Sequence, residues 1–360
     1  MTVEKDQSSL RRVNASVDEM TRSLVGRFQM NRGVRRMVVL VVVAFVLFAA
    51  LRPGVYLSTL NLQNIAVAAP EIGVLAIAQM LAMLTGGIDL SIVAVANLTA
   101  ITISTLYTAA GSRGDALGPV FVLLGLAVAL VAGLVNGLLV SRVGITPILA
   151  TLATMQIFNG LAVVWTGGRT LYGAPTVLTG VGNATVAGIP VLFIVLVLVA
   201  AGIGLLINRT AAGHKIQLQG ANPVAAAYSG ISSRRTLLGT YVITGLLGGV
   251  AGLLFIARNP TASADYGASY TLLVIVIAVL GGTNPNGGFA TVTGVVLAAL
   301  TLQIVSSGFN AMRWSPYQYA VAQGLILIAV MVSDQVRVRL RRRTAEPVVP
   351  VGPATPPTPV

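Results

Sequence analysis

The sequence has no cysteine, one histidine and two lysines among its 360 residues, and these absences exclude several kinds of chemistry. Without cysteine there are no disulfides, thiol nucleophiles or thiolate metal sites. His214 alone cannot form a zinc site built on several histidines, and neither Lys5 nor Lys215 lies in the glycine-rich pattern that cradles nucleotide phosphates. No pair of acidic residues lies within an apolar run. We therefore expect no metal or cofactor in this chain, no ATP hydrolysis by it, and no enzymatic activity.

Charged residues are also scarce. They make up 9% of the chain, whereas soluble domains carry about 25%, and 55% of the residues are hydrophobic. A hydrocarbon core about 30 Å thick is crossed by about 20 helical residues, and the sequence contains many apolar runs of about that length. It therefore predicts an all-α fold, a polytopic membrane helical bundle.

Ten apolar runs are candidate membrane spans. The eighth is shorter than the usual minimum of about 17 residues, so we expect it to be extended, tilted or only partly spanning. Small residues at three- and four-residue spacing in 125–140 and 244–255 allow neighbouring helices to approach closely. The predicted spans are 34–51, 62–85, 90–110, 117–140, 145–166, 187–207, 236–257, 268–281, 289–308 and 316–334.

The distribution of positive charge predicts the orientation of these spans. Eight of the 23 basic residues lie before or at the start of the first run, within residues 1–36, and five follow the last, which predicts that both termini are cytoplasmic. With ten spans, 18 basic residues then lie on the cytoplasmic side and five on the other. Although the formal charge is +13, the sequence has no basic patch interleaved with aromatic residues, so we expect no nucleic-acid partner.

Three regions follow from these patterns. Residues 1–33 form a basic cytoplasmic segment, in which 16–30 is either an amphipathic helix on the anionic lipid of the inner leaflet or a solvated tail. Residues 34–334 form the transmembrane domain. Residues 335–360 are first basic and then rich in proline, which predicts a disordered tail.

The segment "LTGGIDLS" (84–91) places polar residues between two apolar runs. Gly86 and Gly87 are expected to end the second span, and Asp89 or Ser91 to cap the free amides at the start of the third. This structural role makes Asp89 a helix boundary rather than a buried charge. The alternative is a gate or a partner contact at the cytoplasmic mouth, which would depend on the charge.

Several neutral polar side chains lie within predicted spans, where they are costly and need a reason. They either line a path for a polar solute or hold helices together by hydrogen bonds. Glu71, beside Pro70, is ambiguous in the same way between a helix interface and the rim of a cavity. The candidates for a path are Gln79, Asn97, Asn136, Asn159 and Gln303, with Gln156 and Gln323 as further members of the set.

The longest predicted cytoplasmic loop, 208–235, contains a short helix signal. Asn222 is expected as the N-cap of a helix that begins at Pro223 and ends at Gly230 after about two turns. Such a helix is either a docking element for a soluble partner or a cap on the bundle. The residues of this segment that we single out are Asn222, Pro223, Ala225, Ala226, Ser229 and Gly230.

Four stretches of the sequence form a recognisable set: "LTGGIDLSIVAVANL", "GLVNGLLVSRVGITPILATLATMQIFNGLAVVWTGGR", "QGANPVAAAYSGI" and "VIAVLGGTNPNGGFATVTGVVLAAL". Together they resemble the permeases of bacterial ATP-binding-cassette importers for ribose, xylose and related simple sugars. The resemblance covers about 60–334, and its motifs are specific as a set rather than singly. The chain departs from the common pattern in "DLSIVAVA", where "DLSVGSV" is usual, and in "GGTNPNGGFA", where other members often have Ser and Arg.

The resemblance implies a translocation subunit in the bacterial plasma membrane. It implies two permease subunits, alike or different, a cytoplasmic ATPase that carries ATP and Mg²⁺, and an extracytoplasmic sugar-binding protein. Residues 222–231 would be the coupling segment seated on the ATPase, and the cargo would be a pentose, hexose or sugar alcohol. The alternative classes are an ion-coupled secondary transporter, which needs intramembrane acids, and an intramembrane enzyme, whose acid–base or metal groups are missing.

Overall fold

The computed structural model describes residues 32–315 and, beyond them, residues 317–319, 321–322, 324–325 and 328. The chain divides into two compact units, Met1–Met312 and Arg313–Val360, and the helices below belong to the first. The predicted amphipathic helix at 16–30, the proline-rich tail and Gln323 lie outside the described residues, as does most of the predicted tenth span.

Eight helices of the described part are long and apolar enough to cross a membrane. The chain is therefore a multi-pass membrane protein built as a helical bundle, as its composition predicts. We call the end of the bundle at which α1 begins the inner end, because the charge distribution predicts it to be cytoplasmic. The eight helices are α1 (Arg32–Leu51), α3 (Thr59–Leu84), α4 (Ile92–Ala110), α5 (Gly118–Leu138), α6 (Pro147–Thr166), α8 (Val191–Arg209), α11 (Ser233–Arg258) and α13 (Val292–Ala311).

The connections contain shorter elements, some of which correct the sequence predictions. The sixth span begins at Val191 rather than 187, because Ala187 and Gly188 adopt positive φ and form a hairpin turn there. The short elements are α2 (Pro53–Tyr56), α7 (Thr176–Asn183), α9 (Ala211–Ala221), α10 (Pro223–Tyr228) and α12 (Tyr270–Leu280), with the antiparallel pairs β1–β4 (Leu171–Tyr172 and Thr261–Ala262) and β2–β3 (Thr185–Val186 and Ile189–Pro190).

Helix α3 is the centre of the bundle. Within its most apolar stretch 89% of the residues are buried, against 17% in α1 and 22% in α8. It packs against α11, α13, α8 and α12. The helices with low burial present their apolar side chains outward, as expected for surfaces that meet lipid or another subunit.

The two glycine-rich stretches predicted to allow close packing lie against each other. Gly133 on α5 faces Gly245 on α11 so closely that a Cβ on Gly133 would lie 2.6 Å from the carbonyl oxygen of Tyr241. Gly249 likewise faces Ala129. The absence of side chains here lets the two helix backbones approach each other directly.

The predicted eighth span is only partly spanning. Helix α12 has 11 residues and is therefore about 16 Å long, about half of the hydrocarbon thickness. The segment before it, 259–269, starts at the end of α11 opposite the inner end, where β4 pairs with β1. It then reaches the carbonyl of Ala264, which accepts a hydrogen bond from Asn97 Nδ2 at 2.7 Å.

The depth of this segment can be read from its partners on α4. Gly173, beside β1, accepts a hydrogen bond from Ser104 Oγ, and Asn97 lies seven residues nearer the inner end. Seven helical residues correspond to about 10 Å along the axis. The segment 259–269 thus descends into the bundle without forming a helix, which at membrane depth occurs only where backbone is buried in protein or lines a water-filled cavity.

Candidate functional site

The turn at 84–91 begins with a Schellman helix end. The amide of Gly86 donates to the carbonyl of Met83, and the amide of Gly87 donates to the carbonyl of Ala82. Gly86 has φ +81°, a conformation that favours glycine. Gly87 is needed for space, because a Cβ there would lie 2.5 Å from the hydroxyl of Tyr241.

Asp89 lies beyond this turn and is buried, with 4% of its surface exposed. Its Oδ1 accepts hydrogen bonds from the amide of Ser91 at 3.0 Å and from Ser91 Oγ at 2.7 Å. Its Oδ2 accepts from Thr244 Oγ1 on α11 at 3.2 Å. Burial raises the pKa of Asp89, and the hydrogen bonds from Ser91 and Thr244 oppose that rise.

The hydrogen bonds continue from Ser91 into two further helices. Asn136 on α5 donates from Nδ2 to Ser91 Oγ at 2.7 Å and accepts at Oδ1 from Thr154 on α6 at 2.6 Å. Thr151, one turn earlier on α6, accepts from the amide of Leu90 and donates to the carbonyl of Ile88. We call Asp89, Ser91, Asn136, Thr154 and Thr244 the Asp89 network; it joins the start of α4 to α5, α6 and α11.

This arrangement corrects part of the sequence interpretation. Asp89 does accept the amide of Ser91 just before α4, whereas the side chain of Ser91 bonds no free amide of that helix. Asp89 lies at the helix boundary, as predicted, but it is also buried, with Ser91 bonded to one carboxyl oxygen and Thr244 of α11 bonded to the other. The sequence did not show this because Thr244 lies 155 residues away from Asp89 along the chain.

A second glycine-rich turn, "LGGTNPNGG" (280–288), meets the first. Helix α12 also ends in a Schellman motif, with Gly282 at φ +94°. The amide of Gly288 donates to the carbonyl of Leu84 at 3.0 Å. Gly220, near the end of α9, lies between the two turns, and a Cβ there would lie 1.9 Å from the oxygen of Leu84. We call residues 84–87, 220 and 286–288 the glycine junction.

The predicted coupling segment follows the glycine junction directly. Asn222 Oδ1 accepts from the amide of Ala225 at 3.0 Å, so it is the N-cap of α10, which begins at Pro223. Ser229 Oγ donates to the carbonyl of Ala225, and Gly230 has φ +76° after the helix. Ala226 is buried, whereas its neighbours on α10 are exposed.

Helix α9, which carries Gly220, was not predicted. Its N-cap is Thr210, whose Oγ1 accepts from the amide of Gly213 at 3.1 Å. Gln219 Oε1 accepts from Ser233 Oγ at 2.8 Å, which fixes the end of α9 to the start of α11. The capping threonine at 210 was the sequence signal that would have identified this helix.

Two of the predicted path residues line one cavity of about 330 Å³, a size typical of small-molecule sites. Asn97 reaches it from α4 and the partly buried Asn159 from α6. Asp265 and Thr271, on the descending segment and the first turn of α12, complete the polar lining and were not predicted. The remaining lining is Leu90, Val93, Ala94, Leu152, Met155, Ala264, Ala268 and Leu272.

The other predicted path residues lie elsewhere. Asn136 is 1% exposed and both ends of its amide are paired in the Asp89 network. Gln79 is fully buried in α3, and neither of its amide atoms has a hydrogen-bond partner among the described residues. Gln303 is partly buried on α13 and Gln156 is exposed on α6. The structure thus brings only Asn97 and Asn159 together.

Glu71 forms an ion pair inside the bundle. Its Oε2 lies 3.0 Å from an amino nitrogen of Arg258, the last residue of α11. Tyr266, on the descending segment, donates to the same carboxylate at 3.3 Å, and its ring packs in a tilted arrangement against Phe255 at a centroid distance of 4.6 Å. This cluster ties the end of α11 and the following segment to α3, so Glu71 lies at a helix interface.

The comparisons with known proteins agree on the kind of molecule. A family model described as "Branched-chain amino acid transport system / permease component" matches residues 61–331. The chain is 31% identical over 293 residues to the ribose import permease protein RbsC of Bacillus subtilis, covering 81% of this chain and 89% of the relative.

Two further relatives are named for a different cargo. The autoinducer 2 import system permease protein LsrD of Yersinia enterocolitica is 32% identical over 272 residues, covering 74% of this chain and 80% of the relative. The LsrD protein of Escherichia coli is 31% identical over 325 residues, covering 86% of this chain and 96% of the relative. No solved structure shows a significant match. All three relatives are named as permeases, which are transport components and not enzymes.

Proposed function

Because this chain belongs to the bacterial transport-system permease family whose model it matches, we propose that it is the translocation subunit of an ATP-binding-cassette importer that moves a monosaccharide inward. The observation that best supports this proposal is the short covalent connection between α10 and the glycine junction. One residue, Asn222, separates α9 from α10, and Gly220 lies two residues before it. A force applied to α10 therefore reaches the inner ends of α3 and α12.

Helix α10 has the surface expected of a docking element. Val224 is 65% exposed and Tyr228 is 91% exposed, and a spacing of four residues places them on one helical face. Two large apolar side chains side by side on a short exposed helix favour a protein partner that covers them. We infer that this partner is the ATPase, which supplies the ATP and Mg²⁺ that this chain does not bind.

Alternating access then follows from a conformational equilibrium rather than bond chemistry. ATP binding brings the two ATPases together and moves the two α10 helices, one from each permease subunit. The junction transmits this movement to α3 and α12, and the cavity opens toward an extracytoplasmic sugar-binding protein. Hydrolysis resets the cycle. The second permease subunit is either another copy of this chain or a close relative.

The docking role of α10 is testable by removing its apolar side chains. The double substitution Val224→Ser, Tyr228→Ser is expected to lower co-purification of the ATPase by at least about tenfold, because interface anchors of this kind contribute about 2 kcal/mol each. Thermal stability of the purified permease should stay within about 0.5 kcal/mol, because both side chains are exposed. Tyr172→Ser, at a 74% exposed tyrosine on β1 away from the inner end, is the control. Unchanged co-purification of the double variant contradicts the docking role.

The cavity beside α12 suits a neutral polyol. The amides of Asn97 and Asn159 and the hydroxyl of Thr271 offer hydrogen-bond donors and acceptors, and the carboxyl of Asp265 adds an acceptor for sugar hydroxyls. Ribose, named in one relative, is the first candidate cargo, and xylose follows from the sequence resemblance. Autoinducer 2, named in two relatives, is the second candidate.

The cargo and the cavity are tested together by uptake into vesicles that contain the permease, its ATPase and the binding protein. Asn159→Leu is expected to reduce ribose uptake about tenfold, because losing a buried polar partner costs about 1–3 kcal/mol. Gln156→Leu, exposed on the same helix and outside the cavity, should leave uptake nearly unchanged. Xylose, autoinducer 2 and leucine are assayed in parallel. Uptake of leucine alone would contradict the sugar assignment.

An ion-coupled transporter remains the competing class, and the intramembrane ion pair of Glu71 is the observation that favours it. In that class, uptake by vesicles would continue without ATP and would stop when the proton and sodium gradients are collapsed. In the importer proposed above, uptake would stop without ATP and would continue when the proton and sodium gradients are collapsed. The carboxyl group of Asp89 is engaged by hydrogen bonds from Ser91 and Thr244, which supports the importer.

A further inference from the structure

A groove of about 930 Å³ runs along the outside of the bundle between α1, α8 and α13. Its walls are aliphatic for most of their length, formed by residues such as Val38, Val197 and Leu297. At the inner end of the groove the lining becomes polar, with Asn208, Arg209 and Thr293. The groove is therefore amphiphilic along its axis, with an apolar body and a polar, cationic end.

The length of the groove corresponds to one leaflet of a bilayer. On α8 it extends from Val197 to Arg209, twelve residues and thus about 18 Å. Half of a hydrocarbon core about 30 Å thick is about 15 Å. A single acyl chain lying along the groove would therefore bring its headgroup to the level of Arg209.

The charges at the inner end select the headgroup. Arg209 is exposed at the last turn of α8, and its side chain forms no hydrogen bond or ion pair within the part of the chain that the structure describes. Arg35, one residue beyond Val34 of the groove wall, is also exposed. None of the described residues that line the groove is acidic. A phosphate group at this position gains about 1 kcal/mol from each nearby basic residue.

We propose that this groove is a binding site for an anionic phospholipid of the inner leaflet, with an acyl chain along α8 and the phosphate at Arg209. Two other occupants fit less well. The preceding part of the chain, residues 1–31, carries five basic and four acidic residues, so its small net positive charge gives it no attraction to Arg209. A second copy of the chain would have to desolvate Arg209 without supplying an acidic partner from an equivalent surface.

The headgroup part of the proposal is tested by native mass spectrometry of the full-length chain released from nanodiscs of phosphatidylglycerol or phosphatidylcholine. The wild type is expected to retain phosphatidylglycerol in preference to phosphatidylcholine. Arg209→Gln should reduce the retained phosphatidylglycerol about fivefold, which corresponds to the loss of about 1 kcal/mol. Arg142→Gln removes another exposed arginine at the inner end, outside the groove, and should have no effect.

The acyl-chain part of the proposal is tested by a matched pair of substitutions on α8. A Cβ at Gly204 or at Gly202 would meet no atom within 4 Å, so both positions accept a side chain, but only Gly204 lines the groove. Gly204→Leu is expected to reduce lipid retention several-fold, while Gly202→Leu retains the wild-type amount. Equal retention by all variants, or of both lipids, overturns the proposal. So does a Gly204→Leu variant that changes the oligomeric state and not the lipid content, because the occupant is then a second copy.

Discussion

Replacing Asp89 with alanine is expected to destabilise the permease by about 3–5 kcal/mol. The substitution removes the acceptor for the amide and hydroxyl of Ser91 and for the hydroxyl of Thr244. All three residues are buried, so water does not replace the lost acceptor without rearrangement. Because Ser91 also accepts a hydrogen bond from Asn136, releasing Ser91 weakens the connection from the start of α4 to α5 and, through Asn136 and Thr154, to α6. Thermal unfolding in detergent, followed by size-exclusion chromatography, measures the effect.

Asp89→Asn is the matched control for this experiment. The asparagine oxygen can keep the two hydrogen bonds from Ser91, and its amide can donate to Thr244, whose hydroxyl can then donate to the carbonyl of Tyr241 at 3.0 Å. We therefore expect a cost below about 1.5 kcal/mol, the contribution of a typical hydrogen bond. If alanine and asparagine have equal effects on stability, the Asp89 network does not hold the helices together. If asparagine is stable but abolishes uptake, the charge has a separate role in gating.

Replacing Gly220 with alanine is the second large effect that we expect. Its Cβ would lie 1.9 Å from the oxygen of Leu84 and 2.7 Å from the nitrogen of Gly288, two atoms that are themselves hydrogen-bonded. Since the obstacle is backbone and not a flexible side chain, α9 must move away from both turns. Overpacking of this kind costs about 1–3 kcal/mol or more. In the importer proposed here, uptake should fall more than stability does, because the path from α10 to α3 is interrupted.

Gly202→Ala serves as the control for Gly220→Ala. Gly202 is also helical, but a Cβ there meets no atom within 4 Å, and alanine is a better helix former than glycine by about 1 kcal/mol. This variant should be at least as stable as the wild type and should transport normally. Melting temperature and ATP-driven uptake are measured for both variants side by side. A Gly220→Ala permease that matches Gly202→Ala in both measurements would show that the junction tolerates separation.

The sequence was sufficient for those features that depend on local chemistry. Scarcity of charge and the length of the apolar runs predicted a membrane helical bundle, because lipid imposes both conditions. The short eighth run predicted a span that is extended, tilted or only partial, and α12 is partial. Asn222 and Pro223 predicted the start of α10, because N-caps and first-turn prolines act within a few residues of each other along the chain.

Features that depend on distant contacts were beyond the sequence. Asn97 and Asn136 look equivalent as amides in apolar runs, yet one lines a cavity and the other is enclosed by Ser91 and Thr154. Only the packing of α4, α5 and α6 distinguishes the two cases. The sequence did not identify the partner of Glu71 for the same reason. Arg258 is 187 residues away from Glu71 along the chain, and it lies just outside the predicted seventh span, 236–257.

The glycine junction is formed by main-chain atoms, and this limits how the protein can change. A contact between side chains can be adjusted in small steps by substituting larger or smaller residues. The contact between Leu84, Gly220 and Gly288 offers no such steps, because its spacing is set by peptide groups that every residue shares. In the importer proposed here, cargo selectivity can therefore be altered at Asn97 and Asn159, and partner affinity at the surface of α10, while the connection between the two keeps a fixed length.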